Sequence, residues 1–127
     1  MEQYLIDTNV ICDYLSNGIP AKGQKFMDDV IDSIPKISVI TQIELLCWNT
    51  DENTKQNVRN FISECIIYEI TEDLIERCVL IRNSKKIKTP DAIIAATALC
   101  NNFTILSRNI SDFKNINGLK HSNPWEL

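Results

Sequence analysis

The chain predicts an α/β domain in which a parallel sheet is covered by helices on both faces. Short runs of β-branched and apolar residues recur along it, and helical apolar patterns of about 10–15 residues separate them. No repeat, linker or low-complexity tract divides the sequence. At 127 residues it fits one domain, residues 1–127, and a domain of this size buries roughly two-thirds of its unfolded surface without needing staples.

Tyr4-Leu5-Ile6 reads as the first strand, closed by three polar residues, Asp7-Thr8-Asn9, before Val10 to Leu15 resumes in a helical pattern. Asn17-Gly18-Ile19-Pro20 is turn chemistry, and Gln24 to Ile34 follows as an amphipathic cover helix. Lys36 to Ile40 predicts a second strand. Thr41-Gln42-Ile43-Glu44 then has the S/T-x-x-E spacing of a capping box, in which the glutamate returns to the cap's backbone N–H. Lys55 to Cys65 predicts a helix, Ile66 to Ile70 a third strand, and Thr71 the cap of a helix that ends at Asn83-Ser84.

Thr89-Pro90-Asp91 opens the next helix, with Thr89 as candidate cap and a proline preorganised for the first turn. No residue from Ala92 to Leu99 is charged and four are alanine, which implies a buried helix with one carboxylate, Asp91, at its mouth. Phe103 to Ser107 is a fourth strand, Arg108 to Phe113 its exit loop, and Leu119 to Trp125 a short terminal extended segment limited by Pro124.

The composition narrows the function classes. A single histidine, His121, argues against a nitrogen-and-sulfur zinc site and against a triad needing an imidazole base. Five cysteines without a C-x-x-C pair read as reduced small hydrophobes. No signal peptide or membrane span is indicated, so the expected location is cytoplasmic. With a net charge of −4, bulk electrostatics do not draw the chain to nucleic acid. Local basic clusters exist, however: Arg82, Lys85, Lys86 and Lys88 precede Asp91, and Arg108 follows the fourth strand.

Asp7, Glu44, Asp91 and a polar residue of the exit loop all follow strands or open helices, so a parallel sheet could gather them at its carboxyl edge. Four oxygens there would suit Mg²⁺ or Mn²⁺, ions that assist phosphodiester hydrolysis without a histidine base. Each acid also has a bland reading: Asp7 as an N-cap, Glu44 as the end of a capping box, and Asp91 as a first-turn complement to the helix dipole.

Four segments occur in order over nearly the whole chain: the strand ending in Asp7-Thr8-Asn9, Ser38 to Leu45, Thr89 to Ala98, and Leu106 to Phe113. Together they resemble the PIN-domain ribonucleases, and within them the VapC-like toxins of toxin–antitoxin pairs. The resemblance implies a five-stranded parallel sheet flanked by helices, Mg²⁺ or Mn²⁺ held by Asp7, Glu44 and Asp91, and endoribonuclease activity on RNA, with transfer RNA as a family-level substrate. It also implies a homodimer and a cognate antitoxin whose tail occupies the site. The departure is at Asn109, where many relatives have an acid. Asn109 and Asp112 are therefore both candidates for the fourth ligand, with Thr8, Asn9 and Ser107 as auxiliary polar groups and the basic clusters as RNA contacts. Two other classes stay open: a non-catalytic scaffold of the same fold that binds protein, and an aspartate-based phosphoryl-transfer domain. The phosphatase form of the latter wants a second aspartate where Asn9 stands.

Overall fold

A computed structural model describes residues 2–127. Five strands of three residues each are β1 (Tyr4–Ile6), β2 (Lys36–Ser38), β3 (Ile66–Tyr68), β4 (Thr104–Leu106) and β5 (Lys120–Ser122). Between β1 and β2 lie helices α1 (Thr8–Leu15) and α2 (Ala21–Asp32); between β2 and β3 lie α3 (Val39–Leu46) and α4 (Glu52–Glu64). Helices α5 (Glu72–Ser84) and α6 (Thr89–Asn101) precede β4, the four-residue α7 (Ile110–Phe113) follows it, and a 3₁₀ turn (Pro124–Glu126) comes after β5.

Every strand pairing is parallel. The one five-stranded sheet expected from the resemblance is instead two ladders, β1-β4-β5 and β2-β3, with β2 packed beside β1 but no ladder between them among the described residues. β2 is also shorter than the sequence suggests. Val39 and Ile40, read as strand from their β-branched side chains, form the first turn of α3, because Ser38 ends β2 and its Oγ accepts the Ile40 N–H at 3.1 Å. A well-made cap outweighs the strand preference of two residues.

Side chains alternate across the strands, as a period of two requires. Leu5 and Ile105 enter a core shared with α5, α6 and α7, whereas Ile6 and Leu106 enter one shared with α1, α2, α3 and α4. Helices thus cover both faces. The buried alanines of α6, Ala92, Ala95, Ala96 and Ala98, let that helix lie close against α5 and the strands. Its cap is Lys88 rather than Thr89 and makes no side-chain bond, while Pro90 stands in the first turn as expected. At the other end of the chain the 3₁₀ turn packs on α2 at Gly23, where a Cβ would lie 2.2 Å from the Pro124 carbonyl oxygen. Among the described residues no helix is long and apolar enough to cross a membrane.

Candidate functional site

Asp7 and Ser107 are neighbours because each is the first residue beyond one of two paired strands. The register sets Ile6 beside Leu106; the Asp7 N–H then donates to the Leu106 carbonyl at 2.9 Å, and the Ser107 N–H to the Ser122 carbonyl at 3.1 Å. The Ser107 hydroxyl donates to Asp7 Oδ2 at 2.8 Å and accepts the Asn109 N–H at 2.9 Å. Thr8 N–H donates to Asp7 Oδ1 at 2.8 Å. Asp7 is therefore the N-cap of α1, as the bland reading has it, and is also held on its second oxygen. It is only 6% exposed. Burial pushes its carboxyl up to about 6 against the lowering effect of the Ser107 and Thr8 bonds, and the charges of Asp91 and Glu44 push the same way as burial.

Glu44 is the sixth residue of α3 and takes no part in a capping box, since Ser38 is the cap and Thr41 is fully buried inside the helix. Thr8 Oγ1 lies 2.6 Å from Glu44 Oε1 and 3.2 Å from Thr41 Oγ1. A hydroxyl carries one proton, so Thr8 donates to the carboxylate and accepts from Thr41. This chain ties α1 to α3 and fixes Glu44 from below. Thr41 is the residue that sequence reasoning missed in this role. Its signal was present in the i, i+3 spacing to Glu44, which puts both on one helix face but was absorbed by the capping-box reading.

Asp91 is the third residue of α6 and half-buried. Burial raises its proton affinity, as do the charges of Asp112 and Glu44, while Lys88 opposes them. Asn109 is the N-cap of α7 but makes no side-chain capping bond. Its Nδ2 donates to Asp112 Oδ2 in a short hydrogen bond, and its Oδ1 accepts the Ser111 hydroxyl at 3.0 Å.

These residues meet in an open cleft of about 770 Å³. Asp7, Glu44, Asp91 and Asp112 line it with Thr8, Asn9 and Asn109; Arg82, Lys86 and Lys88 supply a basic lip, with Ile87 between them. Three candidates lie outside this lining. Ser107 is buried behind Asp7. Lys85 turns away from the lip, its Nζ donating to the Asp112 and Lys114 carbonyls at 3.0 Å each. Arg108 pairs with Asp13 at 3.6 Å, and its guanidinium stands 4.9 Å from the centroid of the Trp125 ring. Its backbone N–H donates to Asn9 Oδ1 at 3.3 Å.

The donor chemistry of the cleft is all oxygen, as a hard cation wants. Among the described residues no three acidic, histidine or cysteine side chains stand close enough to be a ready-made ligand set. Burial is the main reason that Asp7 and Asp91 hold protons more tightly than usual, and the charges of the neighbouring carboxylates add to it.

A model of the PIN domain family matches residues 4–119. The chain belongs to the PIN domain family. A PIN fold accounts for the parallel strands and the flanking helices. Among solved structures, a toxin–antitoxin complex from Klebsiella pneumoniae contains a chain 31% identical, with a TM-score of 0.77 over 98% of this chain and 100% of that one. The DNA-bound VapBC of Salmonella typhimurium aligns at 20% identity and TM-score 0.79, covering 98% and 99% of the two chains. VapBC2 of Rickettsia felis, bound to a DNA fragment from the promoter, aligns at 21% identity and TM-score 0.76, covering 94% and 97%. Comparison with curated protein sequences gave no match.

Proposed function

We propose that this PIN domain is a divalent-metal-dependent endoribonuclease and the toxin of a toxin–antitoxin pair. The observation that carries the reading is the cleft itself, whose lining combines four carboxylates with three cationic side chains. Acids alone would repel RNA, and cations alone would bind it without chemistry. Mg²⁺ or Mn²⁺, when bound, would activate water and stabilise charge on the phosphate. Asp7, Glu44 and Asp91 would hold it, with Asp112 as an auxiliary carboxylate. We favour Asp112 over Asn109 because the Asn109 amide oxygen already accepts from Ser111 and its nitrogen braces Asp112.

The protein's own groups prepare the site. Two hydrogen bonds orient Asp7, and the Thr41–Thr8 hydroxyl chain orients Glu44. Arg82, Lys86 and Lys88, which line the cleft, would contact phosphates, and Arg82 is braced by its Nε donating to the Ile87 carbonyl at 3.2 Å. Lys88 caps the positive end of a helix, where a cation is disfavoured, so helix stability does not explain its presence there.

The antitoxin partner follows from the likeness to the Klebsiella toxin–antitoxin complex. A homodimer is supported by an unpartnered apolar stretch on α5, where Ile75, Val79 and Leu80 are each more than half exposed. Incubating the purified protein with structured RNA, transfer RNA included, tests the activity. Cleavage with Mn²⁺ that EDTA abolishes is expected. Intact RNA at every metal concentration would sink the enzymatic reading and favour a scaffold that only binds protein.

A further inference from the structure

We infer that Lys85 is a positioning residue for the Asp112 side of the cleft and makes no contact with RNA. The inference rests on the nuclease reading above. Its basis is one side chain that spans two elements: Lys85 terminates α5, and its Nζ reaches the carbonyl oxygens of Asp112 and Lys114, 27 and 29 residues further on.

Helix α7 needs such a brace. With four residues it has hardly any internal hydrogen bonding to offset the cost of nucleation, and a helix this short does not persist alone. Two contacts hold it in place. Phe113, 1% exposed, plants its ring in the core. Lys85 takes up carbonyls at its C-terminal end, where orphaned acceptors and the negative end of the peptide dipoles both favour a cation. Between those anchors, on the outer side of the same turn, stands Asp112 with the Asn109 that braces it. The hold on the backbone of Asp112 therefore sets where its carboxylate stands.

The neighbours of Lys85 in sequence do something different. Arg82, Lys86 and Lys88 line the cleft, and Lys85 alone of the four stands outside that lining, with its ammonium on the carbonyls of α7 and its C-cap. Two of the three N–H donors of its ammonium are engaged by these carbonyls, which hold it at α7 rather than at the cleft lining.

The test compares wild type, Lys85→Met, Asp112→Asn and the double variant, with Lys85→Gln as a second substitution should the methionine variant fold poorly. Amide hydrogen exchange over 110–114, without metal, reads the brace directly, and faster exchange is expected in both Lys85 variants. Cleavage titrated with Mn²⁺ should need about tenfold more metal in Lys85→Met, as for other residues that orient a ligand indirectly. Adding Lys85→Met to Asp112→Asn should cost nothing further, because the two act through one group. RNA binding measured in EDTA should keep its wild-type salt slope. Unchanged exchange, full additivity in the double variant, or a slope reduced by about 0.7, as for one lost phosphate contact on a single strand, would each overturn the inference. If no form of the protein cleaves RNA, the nuclease reading fails, and the exchange and salt-slope measurements still decide what Lys85 does.

Discussion

Asp7 shows how one side chain serves structure and chemistry together. It caps α1 through Oδ1 and receives Ser107 through Oδ2, yet burial makes its ionisation unfavourable and pushes its carboxyl up to about 6. The folded chain therefore binds a proton that the unfolded chain, at the ordinary value of 3.8, has already lost. Without metal, stability should fall as pH rises from about 4 to about 6. A displacement of about two pH units corresponds to ~3 kcal/mol. Asp7→Asn removes this penalty while its amide still accepts from Thr8 and donates to Ser107. In EDTA at neutral pH the variant should melt above wild type, and the difference should vanish near pH 4. Cleavage with saturating Mn²⁺ should drop about 100-fold or more. A variant that is both active and no more stable would remove Asp7 from the site.

At the scale of elements, α3 separates a capping role from a functional one. Ser38 is fully buried and its hydroxyl caps the helix, so Ser38→Ala should cost about 1 kcal/mol of stability in urea denaturation. Glu44→Gln should cost less than about 0.5 kcal/mol, since glutamine still accepts from Thr8. It should nevertheless weaken Mn²⁺-dependent cleavage, because a neutral amide is a poor ligand for a hard cation. The S/T-x-x-E spacing was misleading here for an identifiable reason. Two residues compete to start the helix, and the earlier one, Ser38, sits at the end of β2 where its N-terminal position is set by strand pairing with Tyr68. A pattern read along the chain does not contain that pairing.

For the molecule as a whole, the carboxyl-terminal turn closes the fold around α2. Gly23 lies inside that helix, where glycine is intrinsically unfavourable, and it is there because the Pro124 carbonyl leaves no space for a Cβ. Gly23→Ala should destabilise the domain by about 1–3 kcal/mol, as overpacking does, despite alanine's better helix propensity. A lower midpoint in urea at unchanged slope would show it; a stabilised variant would mean that the turn yields easily. The same turn carries Trp125, against which Arg108 packs while it pairs with Asp13. That arrangement takes Arg108 away from the cleft, although its place in the sequence is next to Ser107.

The sequence by itself determined the order of most strands and helices, which helix is buried, and that Asp7 closes the first strand, because those properties follow from local periodicity and turn chemistry. Tyr4 to Ile6, the alanine-rich α6 and Thr71 as a cap were all legible in this way. Only the tertiary structure decided what depends on contacts distant in sequence: that five strands form two ladders, that Thr41 supports Glu44 through Thr8, and that Lys85 and Arg108 face away while Arg82, Lys86 and Lys88 face the cleft. The physical reason is that a long, flexible cationic side chain takes its direction from whichever acceptor or ring the folded chain brings within reach. For Lys85 and Arg108 those partners, the end of α7 and Trp125, lie too far along the chain for any local pattern to announce them.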